Sequence, residues 1–180
     1  MSDLQDWTKH RFSGGLLVLD VCNSIILRHD AARRKDRFAE PALLGAFLPA
    51  ARKHCAEKDL SRAVAQVGDV KRLFALREAA EANFRACVEG RAGRLVLADL
   101  LDAASASLRH APAGSLETAT AMSALRLLGL KEAERLKSCP ACGWLFHDVS
   151  KNRSRTWCDM AVCGNRAKAK RFYAAHKTVQ

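Results

Sequence analysis

The chain has 180 residues and a formal net charge of +11, from 30 Lys and Arg against 19 Asp and Glu. That length allows one buried core and a small satellite module, and the charge favours a polyanionic partner. No apolar run reaches the roughly 18 residues that a membrane span needs, because Leu16 to Leu27 is broken by Asp20, Cys22, Asn23 and Ser24.

The opening stretch from Met1 to Lys9 lacks the basic start and apolar centre of a signal peptide, so a cytoplasmic location is expected. Cys22, Cys55 and Cys87 are scattered among apolar neighbours and read as reduced core residues. Residues 13–29 read as a helix apolar on most sides and central to the first core. A strand through Leu16 to Leu19 is the alternative, since a short apolar run does not fix the period. Asp20 and Asn23 fall one helical turn apart, and a carboxylate buried there needs a partner. Arg77, which interrupts the apolar stripe of a later helix, is the candidate partner of Asp20, and the three read as a core polar pair or as the floor of a small ligand pocket.

The basic stretch Arg28 to Arg37 reads as a solvated linker, with a second nucleic-acid contact as the other possibility. Pro41 suits the first turn of a short helix that Pro49 is expected to end or bend near Leu48. Gly68-Asp69 opens the strongest helical pattern, Val70 to Val88, with Leu73, Phe74, Ala80, Phe84 and Cys87 recurring at three and four. Gly90 to Gly93 breaks it, and Leu95 to Leu108 restarts it. Ser115 with Thr118 begins another helix that Gly129 should stop. Lys131 to Lys137 is short, charged and helix-prone, and leads into the metal motif without a flexible linker, so body and tail are expected to be docked.

The last forty-odd residues hold Cys139-Pro-Ala-Cys142 and Cys158-Asp-Met-Ala-Val-Cys163, a C-x2-C-x15-C-x4-C pattern. Two thiolates separated by two residues reach one ion from a single tight turn, and this spacer suits a second pair closing the same tetrahedron. One structural Zn²⁺ per chain is expected, held by Cys139, Cys142, Cys158 and Cys163. Residues 1–136 hold 21 basic against 17 acidic residues and residues 137–180 nine against two, so the positive charge gathers at the metal end. Within that end, Trp144 to Asp148 and Arg155 to Trp157 flank Ser150 to Ser154 as a β-hairpin. Residues beyond Cys163, to about His176, read as a helix with Val162, Ala169, Phe172 and Tyr173 towards one side. The expected fold is mainly α: a helical domain over 1–136, then a treble-clef-like finger over 137–180 made of hairpin and C-terminal helix.

The run Cys163-Gly164-Asn165-Arg166, preceded by Trp157-Cys158 and followed by Ala167-Lys168-Ala169-Lys170, resembles the CGNR zinc finger. Cys142-Gly143-Trp144-Leu145-Phe146-x-Asp148-x-Ser150 is similar to the segment that precedes it in that family. Gly15 to Ser24 and Leu76-Arg77-Glu78 resemble the ABATE domain, although Ser24 replaces the usual Thr and Cys22 a larger apolar residue. The resemblance implies a bacterial, stress-induced transcription regulator that binds DNA and has a mainly helical N-terminal domain; the body is read as sensing a small-molecule effector or mediating homodimerisation.

For that reading, Lys151, Arg153 and Arg155, with Arg166, Lys168, Lys170 and Arg171, are placed to neutralise phosphates. Arg166 or Asn165 could reach a base edge, and Asn165 could instead hold the knuckle by a hydrogen bond. The competing class is a zinc-stabilised protein-interaction, RNA-binding or redox-sensor module. An enzyme fits worst: four thiolates leave zinc no open position for water, adjacent His147 and Asp148 would point to opposite strand faces, and no phosphate loop or nucleophile motif is present.

Overall fold

The computed structural model describes residues 7–130 and 133–177. Residues 1–6, part of the stretch read for a leader, and Lys131 and Glu132 of the segment read as helix-prone lie outside them. The centre of the body is α1 (Leu17–Cys22), six residues buried along their whole length. Leu17 and Val21 face an aromatic cluster of Trp7, Phe12, Phe38 and Phe47. Val18, Leu19 and Cys22 face the other way, towards Leu76, Phe84, Leu100 and Leu127. A segment with apolar residues on every side can serve two cores only from between them.

The expected helix over 13–29 is shorter than its pattern suggests. After Cys22 the chain turns into β1 (Ile25–Ile26), which pairs antiparallel with β2 (Lys35–Asp36), so the β-branched isoleucines adopt the conformation they prefer. The basic stretch 28–37 is the turn and second strand of that hairpin. Next comes α2 (Pro41–His54), which does not end at Pro49 but continues past it. The missing hydrogen bond costs about 3 kcal/mol; burial of Leu43, Leu44, Phe47 and Ala51 on one face offsets it.

After α3 (Lys58–Ala63), three long helices follow the expected bounds closely: α4 (Val70–Val88), α5 (Arg94–His110) and α6 (Leu116–Gly129). The starts of α4 and α6 are capped from nearby. Asp69 accepts from the Lys71 and Arg72 amides at 2.9 and 3.2 Å, and Ser115 accepts from Thr118 at 3.3 Å. Cys22 and Cys55 are buried as expected, whereas Cys87 stands exposed on α4.

The finger departs from its expected hairpin. β3 (Leu136–Ser138) pairs antiparallel with β4 (Leu145–His147), and the turn between them is the Cys139–Cys142 knuckle. Arg155 to Trp157 is not a strand, and the segment read as a helix is a 3-10 turn at Ala133–Arg135 running into β3. Gly143 closes the knuckle at φ +76, and a Cβ there would lie 2.7 Å from the His29 ring, so no other residue fits. A π turn (Met160–Gly164) then leads into α7 (Asn165–Lys177). The architecture is a mainly helical region followed by a small hairpin and helix in treble-clef arrangement.

Body and finger share one core. Leu136 of β3 and Leu145 of β4 belong to the apolar cluster of α1, α4, α5 and α6. A division after residue 136 therefore cuts between the first two residues of β3. The outer edge of β4 is closed by the body. The Asn23 amide donates to the Leu145 carbonyl at 2.9 Å and accepts from its N–H at 3.1 Å, and the His147 N–H donates to the Gly14 carbonyl at 2.8 Å. Arg85 of α4 adds bonds to Ser138 Oγ and the Gly143 carbonyl at 2.8 and 2.6 Å.

The three polar residues, read as a core polar pair or a pocket floor, each make separate contacts. Arg77 does not pair with Asp20. Its guanidinium grips both oxygens of Asp36 at 2.8 and 2.6 Å and also Ser24 Oγ at 3.0 Å, locking α4 to β2. Asp20 accepts from the Gly14 N–H at 2.9 Å and has no salt-bridge partner among the described residues; burial pushes its carboxyl up to about 7.

Two outcomes follow. Replacing Asn23→Ala leaves two buried backbone groups of Leu145 unpaired and should cost about 1–3 kcal/mol in denaturant unfolding, in one transition shared by body and finger. For Asp20, the folded state keeps a proton that the unfolded state releases near pH 4, so stability should fall as pH rises from about 4 to about 7, by up to ~1.4 kcal/mol per unit. Asp20→Asn should flatten that slope in urea melts across this range; an unchanged slope would assign it elsewhere.

Candidate metal centre and cationic helix

The four cysteine sulfurs converge from three places: Cys139 and Cys142 from the knuckle, Cys158 from the loop before the π turn, and Cys163 from within it. All four lie within 4.8 Å of one another, with Cys142 to Cys158 at 3.6 Å and Cys158 to Cys163 at 3.7 Å. A tetrahedron with metal–sulfur bonds of ~2.3 Å has edges of about 3.8 Å. The donor set therefore fits one zinc ion without rearrangement. Cys139, Cys158 and Cys163 are buried and Cys142 partly so, and four thiolates this close repel one another unless a cation compensates. With every tetrahedral position filled by sulfur the centre is structural, and the finger is a non-catalytic module.

Around the sulfurs, each residue of the tetrapeptide 163–166 has its own place. Cys163 is a ligand. Gly164 leaves room for neighbours: a Cβ there would meet Met160 Sδ at 2.4 Å and Trp157 Cδ1 at 3.2 Å. Asn165 donates from its side chain to the Ala161 carbonyl at 2.9 Å, tying the first turn of α7 to the π turn. Arg166 is exposed, with no hydrogen bond or ion pair among the described residues. Asp159 caps the π turn through the Val162 N–H at 3.1 Å and holds His10 Nδ1 of the body at 3.2 Å. Burial lowers the His10 imidazole's proton affinity despite that carboxylate.

Asp148 organises the long loop between β4 and Cys158. Its side chain, fully buried, accepts from the Ser150 and Arg155 amides at 2.9 and 3.0 Å and from Lys137 Nζ at 2.7 Å. Burial by itself would raise its proton affinity, but Lys137, Ser150 and Arg155 hold the carboxyl well below the usual carboxylate range.

The seven cations expected to meet phosphate separate into three groups. Arg155 is committed to the protein, donating to the Trp157 and Ser13 carbonyls at 3.0 Å each and to the Cys158 carbonyl, with its guanidinium 4.7 Å over the Phe146 ring. Arg153 pairs with Glu134 and has a left-handed backbone at φ 50. Lys151 is exposed on the loop tip, and Arg166, Lys168, Lys170 and Arg171 are all exposed on α7. The helix carries no acidic residue. Phe172 and Tyr173, expected on a packing side, are 59% and 71% exposed, so α7 presents its flanks to solvent instead of burying a stripe.

Several seam residues carry no sequence signal of their own. Trp144 donates from Nε1 to the Ile25 carbonyl at 3.1 Å and stacks on His10. Arg85 and Lys137 read as ordinary surface cations, and only the fold brings them to the finger's backbone carbonyls.

The profile of the CGNR zinc finger matches residues 135–176, and the chain carries that domain there. No curated protein and no solved structure matches the chain. No helix among the described residues is long and apolar enough to cross a membrane.

Substituting Cys158→Ser should reduce bound zinc from one per chain to near none by elemental analysis. The far-UV helical signal should persist while the melting temperature falls, because the finger's strands lie in the body's core. Full zinc retention would remove Cys158 from the ligand set.

Proposed function

We propose that the chain is a zinc-stapled DNA-binding transcription regulator of the bacterial cytoplasm, responsive to stress, in which α7 is the contact element and the ABATE-like body senses an effector or mediates homodimerisation. The observation that carries this reading is α7 itself. Its first turn is fixed by the ligand Cys163 and the Asn165 bond, and its solvent-facing surface holds Arg166, Lys168, Lys170 and Arg171 with no acid among them. A rigidly anchored cationic helix of 13 residues has the width to enter a major groove, where Lys and Arg neutralise phosphates and Arg reads guanine through paired bonds. Lys151 and, once released from Glu134, Arg153 extend the same charge; Arg155 acts by holding the loop.

A second reading has its own observation. The exposed Phe172 and Tyr173, 5.9 Å apart at the end of α7, suit unstacked RNA bases or an apolar protein partner. Competition between duplex DNA and single-stranded RNA separates the two, since phosphate contacts dominate the first and ring stacking the second.

With Arg166→Ala and Lys170→Ala combined, affinity for duplex DNA should drop and the slope of log affinity against log salt should shrink by about two, roughly one per lost phosphate contact. The check is a titration by fluorescence anisotropy at several salt concentrations. A slope equal to that of the unaltered protein would remove both residues from the interface.

A further inference from the structure

Body and finger meet at a cleft of about 680 Å³. Its apolar wall combines Ile26 and Leu27 of the body with Trp144 and Trp157 of the finger. Leu27 sits there with a left-handed backbone, φ 49, an arrangement that non-glycine residues adopt only where the surroundings enforce it. Its polar lining is one-sided: Arg11 approaches from the body and Arg166, Lys170 and Arg171 from α7, with no Asp or Glu on the wall. Arg11 lies 5.7 Å over the Trp144 ring, while no carboxylate among the described residues pairs with Arg166, Lys170 or Arg171. Cys142 and Cys163 border the cleft, so a zinc tetrathiolate would place two negative charges behind it. The three cations of α7, Arg166, Lys170 and Arg171, outnumber those two.

We infer that this cleft is a binding site for an amphipathic organic anion, a molecule with a flat apolar body and one carboxylate, sulfonate or phosphate. The volume lies within the range of small-molecule sites, which are mostly apolar with a few polar groups that orient the ligand. The apolar body would lie along Ile26, Leu27 and Trp157, and the anionic end would meet Arg166 and Arg171. The site differs from the buried Asp20 region and is open to solvent. It deepens the regulator reading, on which its role as effector site rests, because an anion held there would engage two cations of α7 that the same reading gives to DNA. Its test contains no nucleic acid, so that either idea can fail alone.

The probe is 1-anilinonaphthalene-8-sulfonate, compared with N-phenyl-1-naphthylamine, the same ring system without the sulfonate, each titrated into the zinc-loaded full chain. Expected is one saturable site per chain for the sulfonate, bound at least tenfold more tightly than the neutral amine. Arg166→Gln with Arg171→Gln should weaken the sulfonate at least tenfold and the amine less than twofold. Ala167→Trp, which fills the cleft from α7, should weaken both at least tenfold with zinc content and circular dichroism unchanged. Ala141→Trp makes the same test from the knuckle side should the first variant not fold. Non-saturable binding, equal affinity for the two probes, or binding that survives a folded cleft-filling variant overturns the inference.

Discussion

The contact on which the arrangement depends is the pairing of the Asn23 amide with both backbone groups of Leu145. A strand of three residues has one edge bonded to its hairpin partner and one edge open, and an open edge in a core is untenable because buried amides and carbonyls need partners. Asn23 supplies donor and acceptor at the spacing a neighbouring strand would, so one side chain stands in for a third strand. The turn at Gly14 completes the edge at His147, and Gly15 supplies the φ of +90 that this turn needs. The finger is thereby mounted on the body by hydrogen bonds to the backbone of β4, which specify register as well as contact.

Mounting and metal binding are linked through β4. The start of that strand follows directly on the knuckle that presents Cys139 and Cys142, and its first residue, Leu145, is buried with α1 and α4. Loss of the ion would free the knuckle, and with it the Gly143 carbonyl and Ser138 hydroxyl that Arg85 holds from α4. Free energy of zinc binding therefore contributes to the stability of both parts, since a ligand that binds only the folded chain stabilises everything that folds with it.

The local features were legible and the long-range ones were not. α4, α5 and α6 obey periodicity, α4 and α6 with capping side chains at their starts, and the four ligands announce themselves by spacing, so short-range chemistry is enough for both. The hairpin partner of β4 was not readable in the same way. Arg155 to Trp157 has the aromatic and β-branched character of a strand, but its backbone is claimed by Asp148 and by the Arg155 side chain, while the more polar Leu136–Ser138 wins because the knuckle makes a tight turn. Asn23 and Leu145 are 122 positions apart, and Arg77 was matched to the wrong carboxylate because Asp36 lay in a stretch read as solvated linker. At Pro49 the burial of one face outweighed a backbone rule.

The tetrapeptide from Cys163 to Arg166 shows how structural and functional demands divide along four consecutive residues. Cysteine is required by the ion, and glycine lets the Met160 side chain and the Trp157 ring pack close, since a Cβ would push both aside. Asparagine is used by the π turn, whose Ala161 carbonyl would otherwise lack its side-chain donor at the junction with α7. The fourth position has no such obligation: the Arg166 side chain is exposed, unpaired among the described residues, and directed to the rim of the cleft between finger and body. A charged side chain with no internal partner costs the fold little when it is changed. The three residues before it hold its backbone rigidly, which lowers the entropy lost when it engages an anion. A cation that the fold does not need, held by three residues that the fold does need, is the arrangement expected of a contact residue.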